Sequence, residues 1–300
     1  MGIRVFILHI LQQIELCSII LYYIFIFTTM KRFRLSHKTE DTNRKLKFKL
    51  GLALSGGGTR GFAHIGVLKA FEEERIRFDC VTGTSIGSLI GALYCANVSI
   101  DQMIDVAKRV NRHEIISRFW INSDSANIAN VANRLLLDKT FDQLSTPFSA
   151  VAVDIVDGQE VVLSSGNVAQ AVSASCAVPA LFKPVEIDGM VLVDGGLLNN
   201  MPADVCRTMG AEIVIGVDLN HRRGEGTTSR KLTNTLVACW NIVSKSTMYK
   251  GLHNSDVVIE PELTEFDRTS LKNIDEMVAE GYRAAREKMA EIKEILAIKN

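Results

Sequence analysis

The stretch LALSGGGTRGFAHIGVL, residues 52–68, runs from an apolar segment through three glycines into a second apolar segment with helical spacing. Lys45–Ser55 is predicted to be a strand. The helix predicted after the glycines has apolar residues on one face: Phe62, Ile65, Leu68 and Phe71. Backbone N–H groups in such a turn favour an anion. The turn therefore indicates a site for a phosphate or for the oxyanion formed during ester hydrolysis.

The glycines also match the dinucleotide-binding pattern G-x-G-x-x-G, through Gly56, Gly58 and Gly61. A dinucleotide site needs an acidic residue at the end of the second strand, about 20 residues further on, to bind the ribose hydroxyls. In the second predicted strand, RFDCVTG, the acidic residue Asp79 lies near the beginning instead. Nucleotide binding is therefore the weakest of the functions considered.

From Lys45 to about Leu263 the chain alternates short apolar runs with helical segments. This alternation is typical of an α/β domain with a mainly parallel central sheet flanked by helices. A helix is predicted over residues 85–97 and helical segments over 100–137. Two hairpins are predicted, FSAVAVDIV with EVVLSS and PVEI with MVLV, with turns at Asp157-Gly158 and Asp188-Gly189.

Residues 273–298 are predicted to form a long amphipathic helix. Its inward face carries six apolar residues: Ile274, Met277, Val278, Ala285, Met289 and Ile292. We divide the chain into a hydrophobic leader and basic linker over 1–44, the α/β domain over 45–263, and a C-terminal helix over 264–300 packed on that domain.

Composition gives the general class but no partner. The chain of 300 residues is 47% hydrophobic, and its 34 basic residues balance 34 acidic ones. Because no net field attracts nucleic acid, no nucleic-acid partner is predicted. The six cysteines form no C-x-x-C pair and are interpreted as small buried residues in a reducing compartment. Asp154 and Asp157 lack the further acidic ligands of a calcium loop, so no metal and no cofactor are predicted.

The first thirty residues are strongly apolar, but polar residues interrupt them. The uninterrupted run, Leu16–Thr29, is shorter than the roughly 20 residues that span a bilayer. The segment is either an N-terminal anchor or the product of a misplaced start upstream of Met30. Basic residues follow it: Lys31, Arg32, Arg34 and Lys38. In both cases we expect a cytoplasmic domain, membrane-associated in the first case.

The sequence GTSIG, residues 83–87, is a G-x-S-x-G motif between a predicted strand and a predicted helix, the context of a nucleophile elbow. Gly83 and Gly87 suit the tight turn, and Ser85 is the candidate nucleophile. One alternative is a turn whose serine only caps the helix. Another is a transmembrane helix with glycines at four-residue spacing, which the polar residues of this stretch disfavour.

A serine needs a base to accept its proton. None of the six histidines lies in a recognisable triad context: His9, His37, His64, His113, His221 and His253. His64 is interpreted as a packed structural residue. Asp194 in LVDGGLLNNMP follows an apolar strand and precedes two glycines, so it is the better candidate, against the alternative of a plain Asp-Gly turn. We expect burial to raise its pKa, because an exposed aspartate with a pKa of about 3.9 is a weak base.

Together these motifs resemble the patatin-like phospholipase family. The resemblance runs from Leu50 to about Leu219, over GLALSGGGTRGFAHIGVLKAFEE, VTGTSIGSLIGALY and SASCAVPALFKPVEIDGMVLVDGGLLNNMPA. It implies a three-layer patatin-like α/β fold over residues 45–263. It also implies hydrolysis of lipid acyl esters by a Ser-Asp dyad without histidine or cofactor, with lipid as substrate and a membrane surface as partner.

The resemblance also implies a role for each matching residue. Ser85 is the nucleophile and Asp194 is the general base. The expected oxyanion hole comprises Gly56, Gly57, Gly58 and Arg60. The remaining motif glycines support the turns: Gly61, Gly83, Gly87, Gly195 and Gly196.

Three functional questions stay open. The same dyad could transfer the acyl group to an alcohol, which would make the protein a transacylase, or a regulatory protein could retain a weakly active site. Residues 110–150 could form a wall or lid of an acyl channel, with FWI at 119–121 as a membrane-facing tip, although core packing explains them as well. Oligomeric state is not predicted.

Overall fold

A computed structural model describes residues 49–112, 136–221, 231–266, 268 and 272–299. Its eight strands form one sheet, ordered β5-β6-β3-β2-β1-β7-β8, with β4 also paired to β3. The strands are β1 Leu50–Leu54, β2 Cys80–Thr84, β3 Phe148–Asp154, β4 Gln159–Leu163, β5 Val185–Ile187, β6 Met190–Asp194, β7 Ile213–Val217 and β8 Val257–Ile259.

Eight helices accompany the sheet in the described residues. They are α1 Phe62–Glu73, α2 Ile86–Cys95, α3 Ile100–Arg112, α4 Val168–Ser175, α5 Ala203–Thr208, α6 Leu232–Ser246, α7 Tyr249–Asn254 and α8 Ile274–Lys299. Short 3₁₀ turns cover Gly58–Gly61, Phe141–Gln143 and Gly195–Leu197.

The mainly parallel sheet is confirmed. β3, β2, β1, β7 and β8 run parallel, with Leu52 of β1 opposite Val81 of β2 and Ile215 of β7. The two expected hairpins are also confirmed, because β3 pairs with β4 and β5 with β6 in antiparallel register. Parallel strands need crossover connections, and the helices supply them.

The sheet is covered on both faces, which confirms the three layers. Successive strand side chains point to opposite faces. Leu52 and Leu54 of β1 pack in the larger hydrophobic cluster, whereas Ala53 packs in a smaller cluster with Cys206 of α5. All three residues are fully buried. Strands buried on both faces explain why the sequence shows continuous apolar runs there instead of alternation.

The long C-terminal helix packs directly on α1. All six residues predicted to face inward are buried. The two helices approach closely at glycines: a Cβ atom on Gly281 would lie 1.9 Å from the Ala63 carbonyl oxygen, and one on Gly66 would lie 1.9 Å from the Val278 carbonyl oxygen. Backbone atoms cannot move aside as a flexible side chain can, so no larger residue fits at either position.

We expect Gly281→Ala to destabilise the protein by about 1–3 kcal/mol, because the added methyl group forces α8 away from α1. Urea unfolding measures the change. The matched control is Gly91→Ala in α2, where the nearest atom to an added Cβ is a Phe148 ring carbon at 3.1 Å. That side chain can adjust, so the control should change stability much less. Equal effects of the two substitutions would contradict the close helix contact.

Some elements differ from the sequence-based expectation. β1 begins at Leu50 within the described residues, later than the predicted Lys45. The sequence pattern did not indicate α4, α6, α7 or β8. β8 has only three residues, and the exposed side of α6 is apolar, so neither has the usual periodicity. The interpretation of the cysteines was wrong for Cys239, which is exposed, and holds for four buried cysteines: Cys80, Cys95, Cys176 and Cys206.

Two expectations lie outside the described residues: the leader over 1–44, and residues 113–135 with the FWI tip. Among the helices that the structure describes, none has both the length and the apolar character needed to cross a membrane.

Candidate active site

Ser85 lies in a sharp turn between β2 and α2. Its φ of 54° and ψ of −128° fall in a region that side-chain-bearing residues rarely adopt. A Cβ atom on Gly83 would lie 2.4 Å from the Gly87 carbonyl oxygen, and one on Gly87 would lie 2.3 Å from the Leu54 carbonyl oxygen. Both glycines are therefore required by close backbone approach. The turn projects a half-buried serine at the helix N-terminus, as the G-x-S-x-G motif predicts.

Two further serines hold this turn. The Ser85 N–H donates to Ser175 Oγ at 2.9 Å, and the Ser175 hydroxyl donates to the Val151 carbonyl oxygen at 2.7 Å. Ser88 Oγ donates to the Ser85 carbonyl oxygen at 2.6 Å. The strained backbone at Ser85 is thus anchored on both sides by hydroxyl groups that are themselves fully buried. Sequence reasoning did not identify Ser175 or Ser88.

Ser175 is expected to position the nucleophile. In Ser175→Ala the Ser85 N–H and the Val151 carbonyl lose their partner, and the turn shifts. We expect kcat on a soluble ester to fall about ten- to a hundredfold with little change in KM, because small displacements of a reacting group are costly. Ser149→Ala is the matched control, since Ser149 is also buried but its hydroxyl contacts Met209 Sδ. An equal kcat loss in both variants would contradict the positioning role.

Asp194 ends β6 and is completely buried. Its Oδ1 accepts a hydrogen bond from the Gly196 N–H at 2.9 Å, and its Oδ2 has no hydrogen-bond partner among the described residues. Burial raises the pKa of Asp194 to about 7, while the nearby Ser85 hydroxyl and the Gly196 N–H act in the opposite direction. The expected desolvation of this carboxyl is confirmed. A carboxylate with such a pKa is a far stronger base than an exposed one.

The two glycines after Asp194 allow close packing of the turn. A Cβ atom on Gly195 would lie 2.3 Å from the Val151 carbonyl oxygen, and one on Gly196 would lie 2.9 Å from the ring of Trp240. Val151 therefore contacts both the Asp194 turn and, through Ser175, the Ser85 turn. One strand, β3, thus brings the two candidate catalytic residues together.

The glycine-rich loop lies against Ser85, the candidate nucleophile. A Cβ atom on Gly56 would lie 3.2 Å from Ser85 Cβ. The Gly56 N–H donates to the Asn200 carbonyl oxygen at 3.0 Å, and the Gly56 carbonyl accepts from Asn220 Nδ2 at 2.8 Å. Gly56 is therefore fully engaged in holding the loop. The N–H groups of Gly57 and Gly58 have no hydrogen-bond acceptor among the described residues.

The remaining loop residues face other neighbours. Arg60 is buried, and its Nε donates to the Phe266 carbonyl oxygen at 2.7 Å. The Arg60 side chain thus tethers the backbone at Phe266. A Cβ atom on Gly61 would lie 2.1 Å from Ile86 Cγ1, so Gly61 packs against the residue that follows Ser85.

His64 is buried on α1, and its Nε2 donates to the Ser55 carbonyl oxygen at 2.8 Å. Burial lowers the pKa of His64 to about 4, so the ring is neutral near pH 7. This neutral ring fixes the start of the glycine loop, which agrees with the structural role expected for it. The His221 ring contacts Glu260, with 2.6 Å between Nδ1 and Oε1.

One group of side chains has the composition of a metal site. Donor atoms of Asp218, His221 and Glu260 lie within 4.8 Å of one another. The His221–Glu260 contact and the Asn220 N–H, which donates to Asp218 Oδ1 at 2.6 Å, account for this proximity. Asp218 and His221 are three residues apart, but Glu260 lies 39 residues beyond His221, so the sequence alone did not indicate the group. At the other suspected position, Asp154 Oδ1 accepts from the Val156 N–H at 3.0 Å, as in a hairpin turn.

Comparison with known proteins gives a consistent result. The family model described as patatin-like phospholipase matches residues 52–207. Patatin-like phospholipase domain-containing protein 6 of Mus musculus is 36% identical over 185 residues, 57% of this chain and 13% of that protein. Lysophospholipase nte1 of Emericella nidulans is 29% identical over 235 residues, 75% of this chain and 15% of that protein.

An uncharacterized NTE family protein of Mycobacterium tuberculosis is 32% identical over 180 residues, 57% of this chain and 49% of that protein. The chain thus spans less than half the length of these relatives. Among solved structures, VipD from Legionella pneumophila superposes with a TM-score of 0.50 at 15% identity, over 82% of this chain and 67% of that chain. A likeness at this identity shows a shared fold.

Proposed function

The chain belongs to the patatin-like phospholipase family, and we propose that it hydrolyses carboxylic esters of lipids with Ser85 as nucleophile and Asp194 as general base. The observation that carries the proposal is the state of Asp194. Its Oδ2 is buried without a hydrogen-bond partner, and the carboxyl lies near the hydroxyl of a serine in a strained turn. An unsatisfied buried oxygen is costly, and accepting the serine proton relieves that cost.

In the proposed first step, Ser85 Oγ attacks the acyl carbonyl carbon and Asp194 accepts the hydroxyl proton. The carbonyl oxygen becomes an oxyanion, for which the N–H groups of Gly57 and Gly58 are the available donors. Asp194 then returns the proton to the alcohol oxygen as the ester bond breaks. The products of this step are an acyl-enzyme on Ser85 and a free alcohol.

In the second step, Asp194 accepts a proton from water, and the resulting hydroxide attacks the acyl-enzyme. The same two N–H groups stabilise the second oxyanion. Its collapse releases a fatty acid and returns the proton to Ser85. No step uses a metal ion, a cofactor or a histidine. His64 is neutral and donates to the Ser55 carbonyl, so its contribution is to hold the loop.

The proposed substrates are phospholipids or lysophospholipids, following the names of the relatives, and the proposed partner is a membrane surface. We further propose residues 45–263 as the catalytic domain and residues 264–300 as its C-terminal cover. A transacylase using the same dyad is the alternative, because any alcohol that reaches the acyl-enzyme in place of water gives a new ester.

Product analysis tests the proposal. Wild-type protein is incubated with a series of p-nitrophenyl acyl esters and with phosphatidylcholine vesicles, with and without glycerol as an added acceptor. We expect free fatty acid as the main product in both conditions. Acyl glycerol as the main product would favour the transacylase, and an absence of turnover on every ester would contradict both enzymes and favour a regulatory protein.

A further inference from the structure

Helix α6 presents apolar side chains to solvent. We call the exposed residues Leu232, Leu236, Cys239, Ile242 and Val243 the outer face of α6. Their spacing places them on one side of the helix, with Ile242 at its border. Ser244 of the same helix is buried, whereas these apolar residues are exposed. Exposed apolar surface of this kind indicates an interaction site.

A neighbouring side of α6 contacts the turn after Asp194. The Trp240 ring packs on Gly196, and Thr247 Oγ1, just after the helix, donates to the Gly196 carbonyl oxygen at 2.9 Å. The Gly196 N–H in turn donates to Asp194. The outer face of α6 is therefore carried by a helix that is fixed directly to the turn of the general base.

The segment that carries this surface contains basic residues only. Residues 231–254, which cover α6 and α7, contain three lysines and no acidic residue, although the whole chain has no net charge. Lys250 pairs with Glu160 of β4, with 2.8 Å between the charged atoms. Exposed Tyr249 and Leu252 extend the apolar surface onto α7. Apolar residues combined with lysines and tyrosine are characteristic of helices that lie in the interface of an anionic membrane.

We propose that the outer face of α6 inserts into the surface of an anionic lipid bilayer and so holds the catalytic site against that surface. This inference rests on the proposed lipid hydrolase function. The charge of this segment favours a lipid occupant over the two other candidates, a second copy of the chain and the hydrophobic leader. A symmetric contact with a second copy would bring the lysines of both helices together. The hydrophobic leader is followed by four basic residues within 31–38, so it carries the same sign of charge.

A local probe tests the contact in the full chain. Cys239 is exposed, whereas Cys80, Cys95, Cys176 and Cys206 are buried, so in a Cys17→Ser background an environment-sensitive nitrobenzoxadiazole label reacts at Cys239. We expect its fluorescence to rise on vesicles of phosphatidylcholine with phosphatidylglycerol, and to rise much less on phosphatidylcholine alone. The control variant Cys17→Ser/Cys239→Ser/Ile298→Cys carries the label on α8, outside the outer face of α6. The fluorescence of this variant should not rise on vesicles.

A matched pair of substitutions tests the consequence. Ile242 and Ile298 are 70% and 76% exposed, so Ile242→Asp and Ile298→Asp place the same charge on similarly exposed isoleucines. We expect Ile242→Asp to lower the rate on anionic vesicles, relative to the rate on a soluble ester, by about tenfold or more. This factor corresponds to the free energy of burying one isoleucine side chain in the membrane. Ile298→Asp should leave this ratio unchanged.

The outcomes separate the two proposals. A rise at Cys239 in a protein that hydrolyses no ester would support the membrane contact and contradict the hydrolase. Vesicle binding without a rise in fluorescence at Cys239, or equal effects of the two aspartate substitutions, would overturn the membrane contact. Fluorescence that rises with protein concentration in the absence of lipid would also overturn it and would indicate a second copy. High fluorescence without lipid at every protein dilution would overturn it as well and would indicate that the leader covers this surface.

Discussion

Ser85→Ala is expected to lower kcat for ester hydrolysis by about 10⁴-fold or more, because the neighbouring hydroxyls of Ser88 and Ser175 are buried and donate to backbone carbonyl oxygens. Asp194→Asn keeps the shape of the side chain and its contact with the Gly196 N–H but cannot accept a proton, so we expect a loss of about 10³-fold or more. Initial rates on a soluble p-nitrophenyl ester measure both effects, after circular dichroism has shown that each variant is folded.

Matched controls separate chemistry from general damage. Ser165→Ala and Asp157→Asn make the same chemical changes at exposed positions and should retain wild-type rates. Activity in Ser85→Ala close to that of the wild type would rule out the proposed nucleophile. If Ser85→Ala is inactive while Asp194→Asn retains activity, then Ser85 is the nucleophile and another group is its base.

Asp194→Asn is also expected to stabilise the protein at and above neutral pH. The folded state holds the Asp194 proton more tightly than the unfolded state, because burial raises the pKa from 3.8 to about 7. Stability from this group is therefore fully present below about pH 4 and is lost as pH rises towards 7. Keeping the carboxylate ionised at pH 8 costs on the order of 4 kcal/mol, a cost that the neutral amide avoids.

Urea unfolding at pH 5, 6, 7 and 8 measures this cost. The free energy of unfolding of Asp194→Asn should exceed that of the wild type by an amount that grows with pH and becomes constant above about pH 7. In the same range, wild-type kcat should rise with pH, because only the ionised carboxyl acts as a base. A difference in stability that does not vary with pH, together with a flat rate profile, would contradict a raised pKa for Asp194.

Much of the fold was predictable because its signals are local in sequence. The glycine loop, the G-x-S-x-G turn and the two hairpins each occupy a few consecutive residues, and their geometry demands glycine at specific points. The central parallel strands were visible as continuous apolar runs. Helix α6 was not predictable from the sequence, because its exposed side is apolar and no apolar stripe marks an inward side. We attribute its exposed apolar residues to the proposed contact with a membrane.

The site was predictable only in part for the same reason. Ser85 and Asp194 each stand in a recognisable motif, whereas the residues that position them do not. Ser175 is 90 residues from Ser85, and Asn220 is 164 residues from Gly56. No periodicity connects such distant pairs, since the crossover topology of the sheet brings them together. The pairing of Asp194 with Ser85 was expected from family resemblance, and spacing alone left the choice of base open.

Asn200 gives the site a property that can be followed by hydrogen exchange. Its carbonyl accepts the Gly56 N–H, and its side-chain Oδ1 lies 2.5 Å from the position of a Cβ on Gly56 and 3.0 Å from that on Gly196. The Gly56 amide can therefore exchange with solvent only when the loop and the turn after Asp194 separate. Its protection factor measures the free energy that keeps the glycine loop and the Asp194 turn assembled before any substrate binds.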